Sequence, residues 1–511
     1  MKPQLVVLDF GSQYTQLIAR KVREQRVYAT IEPFDVAPAA LADMAPGALI
    51  LSGGPASIYA DGAPHADPAI FDLGVPVLGI CYGLQYVTVT LGGKVARAAA
   101  REYGPATLTV KEAEPLFAGV PEKSRVWMSH GDRVEELAAG FVPLATSENS
   151  PYAAIGDEGR RIYGLQFHPE VSHTEYGAEV LSNFLFRVAG LEPSWTAASF
   201  VAEKAAEIAD RVGGEHVVLG MSGGVDSCVL AALLHRAIGD RVHPILVDNG
   251  LMREGEIEEV ERVFADDLGI PLTVARAGEQ FLEKLAGEPD PEKKRRIIGH
   301  TFIDVFRDEA AKLGSIKFLA QGTLYPDRIE SRAIKGPSDT IKTHHNVGGL
   351  PDDLPFELIE PLGELFKDEV REVGRELGLP ERIVGRHPFP GPGLAVRCLG
   401  EVTPERLAML RRADAIMREE IEAGGVYDDI AQALTVLLPV KSVGVMGDER
   451  TYENACAVRC VTTRDFMTAD WYRMDHELMA RIAARIANEV AGINRVVYDI
   501  TSKPPATVEW E

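Results

Sequence analysis

Cysteine is scarce in this chain, and the five present, at 81, 228, 398, 456 and 460, show no CxxC spacing. So odd and dispersed a set argues against a disulfide framework or a zinc ribbon and fits a reducing compartment. Cys456 and Cys460 have no neighbouring His pair and read as packing residues. Long apolar runs are missing too: no stretch of 18 apolar residues occurs, and no apolar leader-type segment opens the sequence. The expectation is a cytoplasmic protein with no membrane partner. Positive charge is in deficit, with 53 Lys+Arg against 76 Asp+Glu and a formal charge of −23. That balance disfavours a broad nucleic-acid surface, which needs clustered cations, but it leaves room for a small anion held by a few local ones.

What is present is an ordinary globular composition, 46% hydrophobic and 25% charged, over 511 residues, a length that suggests three or four domains. Its central feature is Ser222-Gly223-Gly224-Val225-Asp226-Ser227. The apolar run His216 to Met221 precedes it, and Val229, Leu230, Leu233, Leu234 and Ile238 follow at helical spacing. Strand, glycine-rich turn and helix start aim backbone N–H groups at one spot, which suits a phosphate. The glycines admit close approach and the serines can donate hydroxyl hydrogen bonds. Asp226 belongs in an anion site only if it holds a divalent cation shared with the phosphates. The alternative is a plain βα turn with a serine N-cap. The lysine of GxxxxGK[ST] is missing, so this is not the common P-loop.

The first 190 residues read as an α/β domain. Strand-like runs at Leu5–Leu8, Ala48–Leu51, Val75–Ile80, Arg125–Met128 and Ile162–Phe167 are separated by Gly and Pro, and Tyr14–Arg26 fits a helix. Gly79-Ile80-Cys81-Tyr82-Gly83 is the thiol counterpart of the G-x-S-x-G nucleophile elbow, with a helix start that would favour the Cys81 thiolate. The following Val87-Thr88-Val89-Thr90 is a poor helix former, so the helix rests on context, and a buried structural cysteine is the competing reading. Gln166-Phe167-His168-Pro169-Glu170 ends another strand. A thiolate needs a base and the base an orienting carboxylate, which His168 and Glu170 could supply from one turn.

Residues 4 to 190 resemble the class I (triad) glutamine amidotransferases, through LDFGSQYTQLIAR, LSGGP, GICYGLQ, EYG, WMSHGD and GLQFHPEV. The resemblance implies that Cys81 attacks the glutamine amide, that His168 is base and acid, and that Glu170 orients it. It places the Gly54 and Tyr82 N–H groups in the oxyanion hole and has ammonia released inside the protein.

Leu191-Glu192-Pro193-Ser194 marks a plausible boundary, followed by a helical segment Thr196–Arg211. Strands at Val242–Val247, Leu272–Ala275 and Ile316–Leu319, alternating with helical stretches such as Glu256–Leu268, predict a parallel sheet with ligands beyond the strand C-termini. Asp248-Asn249-Gly250 is placed as a nucleoside-binding turn would be, or is a simple Asn-Gly turn. Gln321–Pro355, with Lys335, Lys342 and Thr343-His344-His345-Asn346, has little periodicity and reads as a lid bringing cations to phosphates rather than a metal site. The SGGxDS loop resembles the pyrophosphate loop of the N-type ATP pyrophosphatases. VDNGLMREGE, QGTLYPDRIES, IKTHHNVGGLP and ELFKDEVR, in that order behind the glutaminase, resemble the GMP synthetase family. That resemblance assigns ATP phosphates to Ser222, Gly223, Gly224, Val225, Asp226, Ser227 and Cys228, magnesium (Mg2+) to Asp226, a pyrophosphate contact to Lys367, and the lid to IKTHHNVGGLP.

His387-Pro388-Phe389-Pro390-Gly391-Pro392-Gly393 is a stiff connector. Beyond it, helices near Pro404–Ala423 and Arg464–Val490 and strands at Leu434–Leu438, Ser442–Val445 and Arg495–Thr501 predict a small α+β domain. Its cations, Lys441, Arg450, Arg459, Arg495 and Lys503, read on their own as scattered surface charge. LTVLLPVKSVGVMGDERTYE and ITSKPPATVEWE resemble the dimerisation domain of the GMP synthetase family, which implies a homodimer and contacts from Gln432, Arg495, Lys503 and Glu509 to xanthosine 5'-phosphate (XMP). Arg295 joins them, although Lys293 to Arg296 on their own read as a solvated helix face.

The resulting expectation is an α/β chain in three parts: a triad glutaminase (1–192), a doubly wound parallel-sheet ATP pyrophosphatase (193–387), and a small α+β domain (388–511). Its substrates would be glutamine, ATP and XMP. Rival readings are a related synthetase adenylating another acceptor such as the nicotinic acid dinucleotide, a tRNA-thiolating enzyme, which the negative charge and the absent cysteine pair oppose, and a nucleotide sensor with dead sites.

Overall fold

The computed structural model describes all residues except Met1, Ala56, Ser315, 332–355, 447–448, 464–465 and Met467. Lys335, Lys342 and the IKTHHNVGGLP lid therefore lie outside the described residues. The chain divides into two compact units, one containing Met1–Phe200 and the other Val201–Tyr325 together with the C-terminal part of the chain.

In the first unit every residue of β1 (Leu5–Asp9) is buried, as expected of a strand covered on both faces. It pairs in parallel with β2 (Ala29–Pro33) and β3 (Ala48–Leu51), and β3 continues to β4 (Val77–Ile80). The long strands β5 (Lys94–Val110) and β6 (Lys123–Glu136) pair antiparallel, and β7 (Val142–Thr146), β8 (Ala154–Asp157) and β9 (Ile162–Leu165) complete a sheet of order β2-β1-β3-β4-β9-β8-β7-β5-β6. The chain reverses direction across the sheet at β1, so the turns after β1, β3, β4 and β9 all open at one edge, where ligands of such sheets bind. Strand β5 was not anticipated. Its Ala-rich start and Gly104-Pro105 have low strand propensity, and cross-strand pairing with β6 supplies the order instead.

The second unit is built on a wholly parallel sheet of order β12-β11-β10-β13-β14: β10 (Val217–Met221), β11 (Val242–Asp248), β12 (Thr273–Arg276), β13 (Phe318–Ala320) and β14 (Glu357–Ile359). Strand order reverses between β10 and β13, and the Ser222 loop leaves the C-terminal end of β10 at that point. The same apolar core, including Val218, Ile245 and Phe306, continues through Leu394, Leu410 and Ile416 into a second layer. There β15 (Gln432–Met446) and β16 (Glu449–Thr462) form a bulged antiparallel pair, joined by the short β17 (Asp470–Trp471) and by β18 (Ile493–Tyr498), which is parallel to β16.

Two expectations for this region change. The helix read near Arg464–Val490 spans only His476–Glu489, started by Asp475, whose carboxylate accepts the Glu477 and Leu478 N–H groups. Strand β16 went unread because Arg459 interrupts its apolar run, yet residues 455–461 are all buried.

Candidate active sites

Cys81 stands between β4 and the helix Tyr82–Thr90 with φ +52° and ψ −100°, a conformation that β-carbon residues rarely adopt outside functional turns. The flanking glycines are dictated by packing. A Cβ on Gly79 would lie 2.6 Å from the Gly83 carbonyl, and one on Gly83 would lie 2.3 Å from the Leu51 carbonyl oxygen. Backbone cannot yield as a flexible side chain would, so only glycine lets the helix sit this close to the sheet. That docking also explains how β-branched Val87 to Thr90 come to be helical: tertiary context overrides a modest propensity cost.

The nearly buried Cys81 thiol donates to the Ser129 carbonyl at 3.5 Å and receives a long hydrogen bond, 3.9 Å, from Gln166 Nε2. His168, beyond the end of β9, bonds Glu170 Oε1 through Nδ1 at 2.7 Å, and its ring also hydrogen-bonds Cys81. The histidine is fixed through its backbone, whose N–H donates to the Trp127 carbonyl (3.0 Å) and whose carbonyl accepts the Thr174 hydroxyl (2.6 Å). Burial opposes a charged imidazole here. The Glu170 charge and the hydrogen bonds of Cys81 and Glu170 outweigh it and hold His168 well above its ordinary value. The LSGGP turn packs against both catalytic groups: a Cβ on Gly53 would be 3.4 Å from His168 Cε1, and one on Gly54 would be 3.1 Å from Tyr82 Cγ. Tyr82 opens its helix, so its N–H has no intrahelical acceptor. The geometry thus gathers a thiol, a base with an orienting carboxylate, and two candidate backbone donors.

Because His168 is raised, its pairing contributes stability that is complete below about pH 6.5 and is lost as pH climbs through the raised folded value. Replacing Glu170 by Gln removes the charge that holds the proton. The expected result is a fall in glutaminase kcat of about 10²- to 10⁴-fold, with the basic limb of its pH profile moved to lower pH. A profile measured from pH 5 to 10 checks this, and an unmoved basic limb would refute the assignment.

A second polar cluster stands behind the thiol and was read from sequence only as the EYG and WMSHGD motifs. His130 is buried, with Nδ1 3.1 Å from the Asp132 carbonyl and Nε2 3.1 Å from Glu102 Oε2, and Glu102 also accepts the Ser147 hydroxyl. Burial would raise the Glu102 carboxyl, but the hydrogen bonds from His130 and Ser147 leave it below the usual range. Two acceptors facing one ring are both satisfied when the ring is doubly protonated. This pair braces the Ser129–Asp132 strand that touches Cys81.

In the second unit Gly223 takes φ +74°, and Gly224 is the extended residue before the helix Val225–Ile238. The Ser222 hydroxyl accepts the Gly224 N–H (3.4 Å), and the Ser227 hydroxyl donates to the Gly224 carbonyl (3.0 Å). Asp226 pairs at 2.5 Å with Lys367, the first residue of the helix Lys367–Glu376, so two residues read separately from sequence meet here. Cys228 lies fully buried under the loop; desolvation first of all pushes its thiol up to about 12, so it serves packing while its backbone belongs to the helix start. Arg386, which sequence reading missed, donates to the Gly223 carbonyl (3.2 Å) and pairs with Glu256 and Glu259, bracing the loop from below. In the Asp248 turn, Asp248 and Asn249 spend their side-chain oxygens on the N–H groups of Gly250 and Leu251. No group of three or more His, Cys, Asp or Glu able to hold a metal occurs among the described residues. Asp226 is nevertheless a fitting single carboxylate for Mg2+, which is commonly held by one or two carboxylates plus substrate phosphates.

Comparison with known proteins bears on both sites. Residues 6–188 match the family described as glutamine amidotransferase class-I, residues 200–284 that of NAD synthase, and residues 419–510 that of the GMP synthase C terminal domain. Proteins named GMP synthase [glutamine-hydrolyzing] from Nitratiruptor sp. and Thermomicrobium roseum are each 58% identical, over 511 and 510 residues, covering 99% of this chain and 99% and 96% of theirs. The chain belongs to the glutamine-hydrolysing GMP synthase family. Among solved structures, a GMP synthase glutaminase-type protein from Thermoplasma acidophilum is 31% identical over 37% of this chain and 95% of its own, with a TM-score of 0.35.

The residues expected at the nucleotide of a GMP synthase separate into two groups. Glu509 is held by a bidentate pair from Arg397 (2.8 and 3.0 Å) and by Gln432 Nε2 (2.7 Å). Arg295 donates to the Glu511 carbonyl oxygen at 2.6 Å, and its neighbour Lys294 to the Glu511 side chain at 2.8 Å. Lys294 is fully buried, so the four-cation run is not simply a solvated face. Arg495 and Lys503 are not drawn into these contacts. Arg495 bonds Ser442 and Val443, and Lys503 donates to the Phe466 carbonyl at 2.6 Å. Arg397, absent from the sequence reading, carries no local signal; only its burial against Glu509 singles it out.

Proposed function

We propose that this protein makes GMP by ATP-dependent amination of XMP, using ammonia taken from glutamine. The observation that carries this is full-length identity to proteins named for that activity, in a chain that joins a Cys81–His168–Glu170 relay to an SGGVDS phosphate loop. In the first unit the Cys81 thiolate attacks the glutamine amide carbon, and the Gly54 and Tyr82 N–H groups take the oxyanion charge. His168 then gives its proton to the departing ammonia. Water, deprotonated by His168, cleaves the thioester to glutamate.

In the second unit the XMP C2 oxygen attacks the α-phosphorus of ATP. Pyrophosphate leaves, and ammonia displaces AMP at C2 to give GMP. The loop residues Ser222 to Cys228 cradle the phosphates through backbone and hydroxyl donors, and Lys367 neutralises the leaving pyrophosphate. Asp226 would hold Mg2+, which supplies charge neutralisation on the phosphates. Gln432, Arg495, Lys503 and Glu509, with Arg295, contact XMP.

The enzyme is inferred to be a cytoplasmic homodimer. Val440, Val443, Val445 and Tyr452 are exposed along the β15–β16 pair, a contiguous apolar edge suited to a second copy. No helix among the described residues is long and apolar enough to cross a membrane.

The test supplies XMP, ATP and glutamine together and measures GMP, AMP, pyrophosphate and glutamate, on a sample whose mass is read by sedimentation. The expected result is equimolar products from a dimer. Pyrophosphate release driven by the nicotinic acid dinucleotide rather than XMP would overturn the acceptor, and a monomer would overturn the assembly.

A further inference from the structure

Arg459 lies on β16 opposite Leu434 of β15 and is fully buried. Its Nε donates to the Val508 carbonyl (3.0 Å), Nη1 to the Thr501 carbonyl (2.8 Å) and Nη2 to the Thr507 carbonyl (3.0 Å), while Nη1 also pairs with Asp499 Oδ2 at 2.9 Å. A guanidinium removed from water is tolerated when its donors are satisfied in this way. Every one of these partners belongs to a single segment, Asp499–Val508, and they come from both of its ends. The planar fork therefore closes that segment into a loop. Asp499 tightens the closure by accepting the Thr501 N–H (2.9 Å) and the Trp510 indole N–H (3.0 Å).

Lys503 sits within the loop, exchanging backbone hydrogen bonds of 2.7 and 3.0 Å with Ala469, and Glu509 follows it directly. Asp499, Thr507, Glu509 and Trp510 line a groove of about 520 Å³ along the same segment.

We propose that Arg459 is a positioning residue for the nucleotide substrate: it touches no substrate and sets the conformation in which Lys503 and Glu509 are presented. This rests on the reading above that Lys503 and Glu509 contact XMP. Lysine could not replace it, because one ammonium on a flexible stem cannot reach three carbonyls and a carboxylate in one plane.

The experiment uses the full-length chain with Arg459→Lys and Asp499→Asn, the latter disturbing only the carboxylate side should the former fail to fold. Hydrogen–deuterium exchange of 499–510 is read alongside steady-state kinetics with XMP varied. The expected outcome is faster exchange in that segment and a KM for XMP raised on the order of 10- to 100-fold, with smaller change in kcat, an unchanged KM for ATP and unchanged glutaminase turnover. Unchanged exchange in both variants, or faster exchange with an unchanged KM for XMP, overturns the proposal. Lys503→Met serves as the control: if it leaves the KM for XMP unaltered, the nucleotide-contact reading fails, whatever Arg459→Lys does to exchange.

Discussion

Cys81→Ala is expected to abolish GMP formation from glutamine while leaving formation from free ammonium near the wild-type rate. The glutamine-dependent rate should fall on the order of 10⁴-fold or more, because no other group replaces a missing nucleophile and the residual comes from binding and the oxyanion donors alone. Alanine tests the chemistry rather than the fold. It keeps the β-carbon at φ +52°, where cysteine already sits, and removes only a sulfur whose contacts are a 3.5 Å bond to the Ser129 carbonyl and a long one from Gln166. The ammonium-dependent rate depends on the Ser222 loop, which belongs to the other unit. Measuring both rates on one preparation gives the answer as a ratio. A parallel loss of the ammonium-dependent activity would show that the two sites do not divide the work as described.

Lys367→Met should have the complementary effect, removing synthesis while sparing glutamine hydrolysis. Lys367 meets Asp226 at 2.5 Å, with side chains 44% and 31% exposed. A pair so open to solvent contributes only about 0–1 kcal/mol to stability, so the melting temperature should barely move. The same ammonium aimed at a leaving pyrophosphate acts where charge develops, and losing one such contact costs about 10²- to 10³-fold in kcat. XMP-dependent AMP formation, basal glutaminase turnover and a thermal melt together check this. A variant that retained AMP formation within a few fold of wild type would remove Lys367 from the phosphate site.

The two catalytic loops were legible in sequence for a physical reason: each is a local device. A strand, a sharp turn and a helix start are contiguous, and the glycines at 79, 83, 223 and 224 are needed by backbone geometry and close packing within or next to that turn. His168 and Glu170, two residues apart, form their 2.7 Å bond across one such turn. The parallel sheet of the second unit follows from the same kind of evidence, alternating apolar runs and helical periods.

What the chain order could not show is which distant groups meet a buried charge. Lys294, Arg397 and Arg459 look in sequence like any surface cations, yet all three are sealed from solvent. A cation's burial is decided by whether remote acceptors converge on it: Glu509 on Arg397, 112 residues away, Glu511 on Lys294, and the carbonyls of 501, 507 and 508 on Arg459. The meeting of Asp226 with Lys367, 141 residues apart, has the same origin. Sequence by itself determined the two reactive turns and the α/β frame that exposes them, because those depend on spacing and backbone freedom. The tertiary structure alone decided which cations are structural anchors and which stand free for a substrate, because that depends on desolvation and on partners the spacing does not record.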